Sequence, residues 1–129
     1  MKRALALLSV DSIGGLLVGC LVMLLAPWLS DVYGWPIERV RIVGLANLSY
    51  GTYSGTLVLI LWRNGGLRPW SVRLLVGANL AWGLGCFLQL LFWLPESTTV
   101  AGISILVLEG IYVAILGWLE AKYVLPVLS

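Results

Sequence analysis

Residues 101–121, Ala-Gly-Ile-Ser-Ile-Leu-Val-Leu-Glu-Gly-Ile-Tyr-Val-Ala-Ile-Leu-Gly-Trp-Leu-Glu-Ala, form a nearly unbroken apolar run that holds only two charged residues, Glu109 and Glu120. A helix needs roughly 20 mostly apolar residues to cross a bilayer, so the stretch reads as a transmembrane span with a carboxyl group inside it. Three further blocks of the same kind lie at about 4–29, 42–62 and 74–94, and short loops join them. The chain has 129 residues, of which 60% are hydrophobic and 11% charged. A soluble domain carries about a quarter charged residues, so the solvent here is lipid. Barrel strands are excluded, because they would alternate over segments of about ten residues, whereas these runs are continuously apolar. The expected fold is an all-α membrane protein: one domain over residues 1–129, built as an antiparallel bundle of four transmembrane helices.

The punctuation fits this division. Pro27 and Trp28 close the first span, Asn64-Gly65-Gly66 offers a helix stop, and Pro95 ends the third span. Pro36 and Pro69 suit the first turns of the second and third spans, and Ser97, Thr98 or Thr99 can cap the fourth. Lys2, Arg3, Arg63, Arg68, Arg73 and Lys122 fall on one side of the four-span arrangement, with Arg39 and Arg41 on the other. The positive-inside rule then puts both termini in the cytoplasm of a cell whose inner membrane holds the protein. Trp28, Tyr33, Trp35, Trp62, Trp70, Trp93, Trp118 and Tyr123 lie near span ends, where aromatic rings anchor at the headgroups. A net charge of +2, with dispersed cations, offers no nucleic-acid surface.

Lys2-Arg3 followed by Leu17-Val18-Gly19-Cys20 resembles a lipoprotein signal, but Asp11 interrupts its apolar region and the run continues through Leu25. That continuity reads as a spanning helix. Cys20 and Cys86 sit in different spans without a CxxC motif, and the chain has no His, so neither a metal site nor a cofactor is expected.

Function must then come from the polar residues within the spans. Asp11, Gly15 and Gly19 recur every four residues on the first span, and Asn47, Gly51 and Ser54 share a face of the second, with Tyr50 beside them and Gly55 one step on. The third carries Asn79, Gly83 and Cys86, with Gln89 a turn further, and the fourth aligns Gly102, Glu109 and Val113 towards Glu120 at the cytoplasmic end. Small residues let backbones approach, and a neighbouring amide or carboxyl can hydrogen-bond across the contact. At about 1.5 Å of rise per residue, Asp11, Asn79 and Ser54 form an inner layer, and Glu109, Asn47 and Gln89 an outer one nearer the midplane. No Lys or Arg shares the depth of Glu109, so that carboxyl is expected to be protonated or bonded to amides. One six-residue pattern recurs: Ala46-Asn47-Leu48-Ser49-Tyr50-Gly51 returns as Ala78-Asn79-Leu80-Ala81-Trp82-Gly83. Because these spans run in opposite directions, an approximate two-fold axis in the membrane plane would relate the copies.

With Asn47 and Tyr50, the Asn79-x-x-Trp82 pair, and Glu109 on a glycine-containing last helix, the chain resembles the small four-helix bacterial membrane proteins similar to DoxX. The resemblance lies in spacing and hydropathy over most of the length, and it implies fold and location rather than chemistry. Three functions follow from the residues. The first expectation is a non-enzymatic subunit that packs with itself or with a larger membrane assembly through its small-residue faces. The second is a proton-linked carrier or binder of a small apolar or lipid-like molecule, using Asp11 and Glu109. A lipid- or isoprenoid-modifying enzyme using a carboxyl and Tyr50 comes last, since no nucleophile–base pair, metal cluster or phosphate cradle accompanies them.

Overall fold

Pro27 breaks the first apolar block in two. A proline has no N–H to give to the carbonyl four residues back, so the helix that begins the chain stops before it. The computed structural model describes residues 2–127; Met1, Leu128 and Ser129 of the expected domain lie outside the described residues. It contains five α-helices: α1 (Lys2–Leu24), α2 (Ala26–Tyr33), α3 (Ile37–Asn64), α4 (Pro69–Phe92) and α5 (Val100–Tyr123), the last followed by a 3-10 turn (Leu125–Val127). The expected single span over 4–29 is therefore corrected to a long helix and a short one, with the proline in the first turn of α2. α1 runs unbroken through Cys20, whose thiol is free and exposed.

Three segments, α1, α4 and α5 with its 3-10 extension, are long and apolar enough to cross a membrane. α3 is the longest helix, but Glu38, Arg39 and Arg41 at its start and Asn47, Ser49, Thr52, Ser54 and Thr56 along it make it more polar. Its hydroxyls are satisfied locally: Ser49, Thr52 and Thr56 each donate to the carbonyl four residues earlier. Large apolar side chains such as Ile13, Leu17, Leu74, Leu84, Leu91 and Ile115 face outward. An apolar exterior of this extent on three long helices makes this a membrane protein.

The helix ends follow local chemistry. Gly34 and Gly65 take the left-handed conformation that closes α2 and α3, at φ of 70° and 72°. Pro69 is the first residue of α4, and Thr99 caps α5 by accepting from the Gly102 amide. Of the three candidate caps at 97–99, only Thr99 does so; Ser97 donates to the Gly34 carbonyl, and Thr98 accepts from the Trp35 indole.

Two antiparallel pairs, α1 with α3 and α4 with α5, make the most extensive contacts, and the pairs meet chiefly where α1 touches α5. Glycines set the first pairing. A Cβ at Gly15 would stand 2.8 Å from the Asn47 carbonyl oxygen, and one at Gly51 would stand 2.5 Å from the Leu16 amide nitrogen. Gly19 meets Leu48, and Gly55 meets the Ser12 hydroxyl, which itself donates to the Gly51 carbonyl. Gly83 lies against the Gly110 carbonyl in the second pair. Two apolar clusters result. One, with Leu8, Leu61, Val72 and Leu75, fills the end where α3 turns into α4; the other, with Leu29, Trp35, Val40 and Leu106, fills the opposite end. Polar residues and a cavity occupy the layer between them.

Candidate functional site

The cavity measures about 270 Å³ and is walled by α1, α3, α4 and α5, with Tyr33 and Trp35 closing it from α2 and the following loop. The closing strap is firmly tied. The Thr99 amide donates to the Tyr33 carbonyl at 3.0 Å, its hydroxyl donates to Val32, and the Trp35 indole donates to the Thr98 hydroxyl at 3.1 Å. Trp35, expected as a headgroup anchor, is only 5% exposed. The reading is corrected because Pro36 turns the chain at this point and Trp35 packs inward beneath Arg39, whose guanidinium lies 4.9 Å from its ring. Trp28, Trp62, Trp70, Trp93 and Trp118 remain outward-facing.

On the side between α1 and α5 the wall is thin. Val18, Leu108 and Tyr112 line the cavity and are also exposed, so single side chains part it there from the side where the lipid would lie. Gly14 makes room for the Tyr112 phenol there, whose oxygen would be 2.9 Å from a Cβ at that position.

Two carboxyl groups face this space, Asp11 and Glu109. Glu109 Oε1 accepts from the Trp82 indole at 3.0 Å and from Asn47 Nδ2 at 3.4 Å. Neither partner carries charge. At the centre of a membrane helix an ionised side chain costs about 2.5–3.5 kcal/mol, and two neutral donors offset part of that without cancelling it. Tyr33, Trp35, Tyr50, Trp82 and Tyr112 supply five aromatic rings to the same walls. Tyr50 and Trp82 meet in a T-shaped pair with centroids 6.3 Å apart, and the Tyr50 hydroxyl donates to the Ala78 carbonyl at 2.7 Å. Burial, and after it the nearby charge of Glu109, raises the Tyr33 phenol above its ordinary value, so it stays neutral.

The second polar group lies deeper towards the cation-rich end. Asn79 Nδ2 donates to Asp11 Oδ2 at 3.0 Å and to Glu120 Oε1 at 2.8 Å. Asp11 is 5%, Asn79 2% and Glu120 0% exposed, and Glu120 Oε2 has no hydrogen-bond partner. Ser54 is buried in the same region and spends its hydroxyl on the Tyr50 and Gly51 carbonyls.

The repeated motif acquires a physical meaning in this arrangement. Its two asparagines, Asn47 and Asn79, each reach one carboxyl of α5, Glu109 and Glu120. Its two aromatic residues, Tyr50 and Trp82, meet each other in the cavity wall. The two glycines, Gly51 and Gly83, receive the backbones of α1 and α5.

Gln89 departs from the expected outer layer. Its oxygen accepts from Arg39 Nη2 and its nitrogen donates to the Gly85 carbonyl at 3.2 Å, with no bond to Glu109. Arg39 also donates to the Trp93 carbonyl at 3.0 Å, so the residue ties the start of α3 to the end of α4. The depth arithmetic failed here because α4 begins at Pro69, which shifts Gln89 towards the far end of its helix. Glu120 was missed for the converse reason. The sequence puts it at the cytoplasmic end of its stripe with no site role, but α5 continues to Tyr123 and the 3-10 turn follows, with Val124 fully buried. Its place on the Glu109, Val113 stripe was the available signal. Cys86 is buried with a free thiol, and no group of three potential metal-ligating side chains occurs among the described residues.

No family model, curated protein or solved structure matches this chain.

Proposed function

We propose that the protein is a non-enzymatic membrane binder or carrier of a small molecule that joins an apolar body to a cationic head. The carrying observation is a lateral cavity in which the Glu109 carboxyl sits among five aromatic rings. Aromatic faces attract an organic cation by their negative quadrupole, and a quaternary ammonium has no hydrogen to donate, so rings and one carboxylate are what it requires. An apolar body would lie on this thin-walled side, among Val18, Leu108 and Tyr112, and enter from the lipid. Glu109 is the counter-ion for the head, with Trp82 and Asn47 as its holders.

The same reading takes four helices, α1, α3, α4 and α5, as the spans, with both ends of the chain cytoplasmic in a bacterial inner membrane. The six-to-two distribution of cations supports it, as does Arg3, which lies 4.7 Å from the Tyr123 ring and so brings the two cation-bearing ends together. Kinship with the DoxX-like proteins rests on spacing and hydropathy. Association with itself or with a membrane partner draws less support than the sequence offered, because Gly15, Gly19, Gly51, Gly55 and Gly83 are engaged within the chain.

The test is equilibrium binding in mild detergent of benzyltrimethylammonium against neopentylbenzene, its neutral isostere. Saturable binding of the cation, at least tenfold tighter than the neutral compound, is the expected result. Equal binding of the two would reduce the cavity to a greasy pocket and remove the function assigned to Glu109.

A further inference from the structure

The orphaned oxygen of Glu120 points to a second site. Glu120 is fully buried, Asp11 is nearly so, and both carboxyls are held by one nitrogen, Asn79 Nδ2. A nitrogen carrying two hydrogens can serve one oxygen of each carboxyl and no more. The Oε2 atom of Glu120 is thus left without a donor among the described residues, where buried polar side-chain atoms are otherwise partnered. Two ionised carboxyls cannot share so small a space without a cation. None is at hand among the described residues: Lys122, two residues after Glu120, lies over the Trp118 and Tyr123 rings at 4.9 and 5.2 Å, and Arg3 lies over Tyr123. The other titratable groups that face the pair are the phenols of Tyr50 on α3 and Tyr112 on α5, neither of them a cation.

We propose that Asp11 and Glu120 hold one proton between them, positioned by Asn79, and that this proton leaves when a cationic head settles beside Asp11. Asp11 belongs to both places, since it lines the cavity while Glu120 stands behind Asn79, outside the lining. One positive charge enters and one leaves. The exchange half of the proposal rests on the cavity reading above; the shared proton does not.

Infrared spectroscopy of the ligand-free Glu109→Gln protein at neutral pH tests the proton first. Asp31, Glu38 and Glu96 are exposed, so a protonated-carboxyl band that responds to changes at Asp11 and Glu120 belongs to the pair. The band is expected; Asp11→Asn or Glu120→Gln, each of which keeps shape and hydrogen bonding, should shift it when added singly, and the two added together should remove it. Absence of the band from the Glu109→Gln protein, an unshifted band in both single additions, or its survival when both are added overturns the shared proton. The second measurement adds benzyltrimethylammonium to wild type in weak buffer, where about one proton should be released per cation bound. Glu120→Gln should bind the cation and release none. Binding to wild type without release overturns the exchange and leaves the cavity reading standing. No binding at all removes both, while the infrared result still decides whether the proton is there.

Discussion

Asp11 on α1 and Asn79 on α4 meet across 3.0 Å in the buried layer of the protein, the amide donating and the carboxyl accepting. Interhelical hydrogen bonds within membranes contribute about 0.6 kcal/mol on average and up to about 1.7 in measured cycles. Asp11→Leu and Asn79→Leu should each lower thermal stability in detergent, and the double variant should lose less than the sum of the two. Strict additivity would mean that the contact contributes nothing.

The glycines divide into two groups with opposite expected behaviour. At Gly51 a methyl would collide with backbone atoms of Leu16 and Ser12, whereas at Gly77 nothing lies within 4 Å. Gly51→Ala should therefore destabilise by about 1–3 kcal/mol, because a packed helix pair must separate. Gly77→Ala should be neutral, or stabilising by up to about 1 kcal/mol through helix propensity. Thermal unfolding of the two single variants is the measurement, and an equal loss in both would contradict the close α1–α3 approach.

Much of this was legible in the sequence because membranes impose long apolar periods and because small residues at four-residue spacing leave few ways to pack. Helix positions, the inward turn of Asp11, Asn47 and Asn79, and the role of Gly65 as a stop follow from such local rules. What was not legible depends on where helices begin and end in three dimensions. Pro27 read as a terminus rather than a break, Trp35 as an anchor rather than a core residue, and Glu120 as the end of a stripe rather than a member of the buried polar group, because each outcome is set by a neighbouring segment that folds back over it. The aromatic walls were equally hidden. Tyr33 and Tyr112 belong to no motif, and only the packing of α2 and its following loop onto the four long helices brings them to one space.

Thr99 joins two segments, accepting from Gly102 to cap α5 and donating to the Val32 carbonyl to hold the strap over the cavity. Thr99→Val removes both bonds while preserving volume, and loss of the cap should cost about 0.5–2 kcal/mol. Limited proteolysis in the segment from Trp28 to Pro36 should quicken along with the fall in melting temperature. A variant that melts early with no change in proteolysis there would show that the strap is held by other contacts.

Topology can be checked independently of any ligand. With α1 antiparallel to α3 and α4 antiparallel to α5, the loop at Gly66 and the end of α5 lie on the same side. Reporter fusions at Gly66 and after the last residue should both report the cytoplasm. Active alkaline phosphatase at either position would reverse the orientation or reduce the number of spans.

The most direct measurement concerns the Glu109 carboxyl itself. Glu109→Gln keeps the shape of the side chain and an oxygen for the Trp82 and Asn47 donors, but it cannot carry negative charge. Binding of benzyltrimethylammonium by isothermal titration in mild detergent should be saturable at one site per chain in wild type. In the Gln variant it should weaken by at least tenfold, with the melting temperature little changed. Undiminished binding by a folded Gln variant would contradict the central claim that this cavity recognises a cation through Glu109.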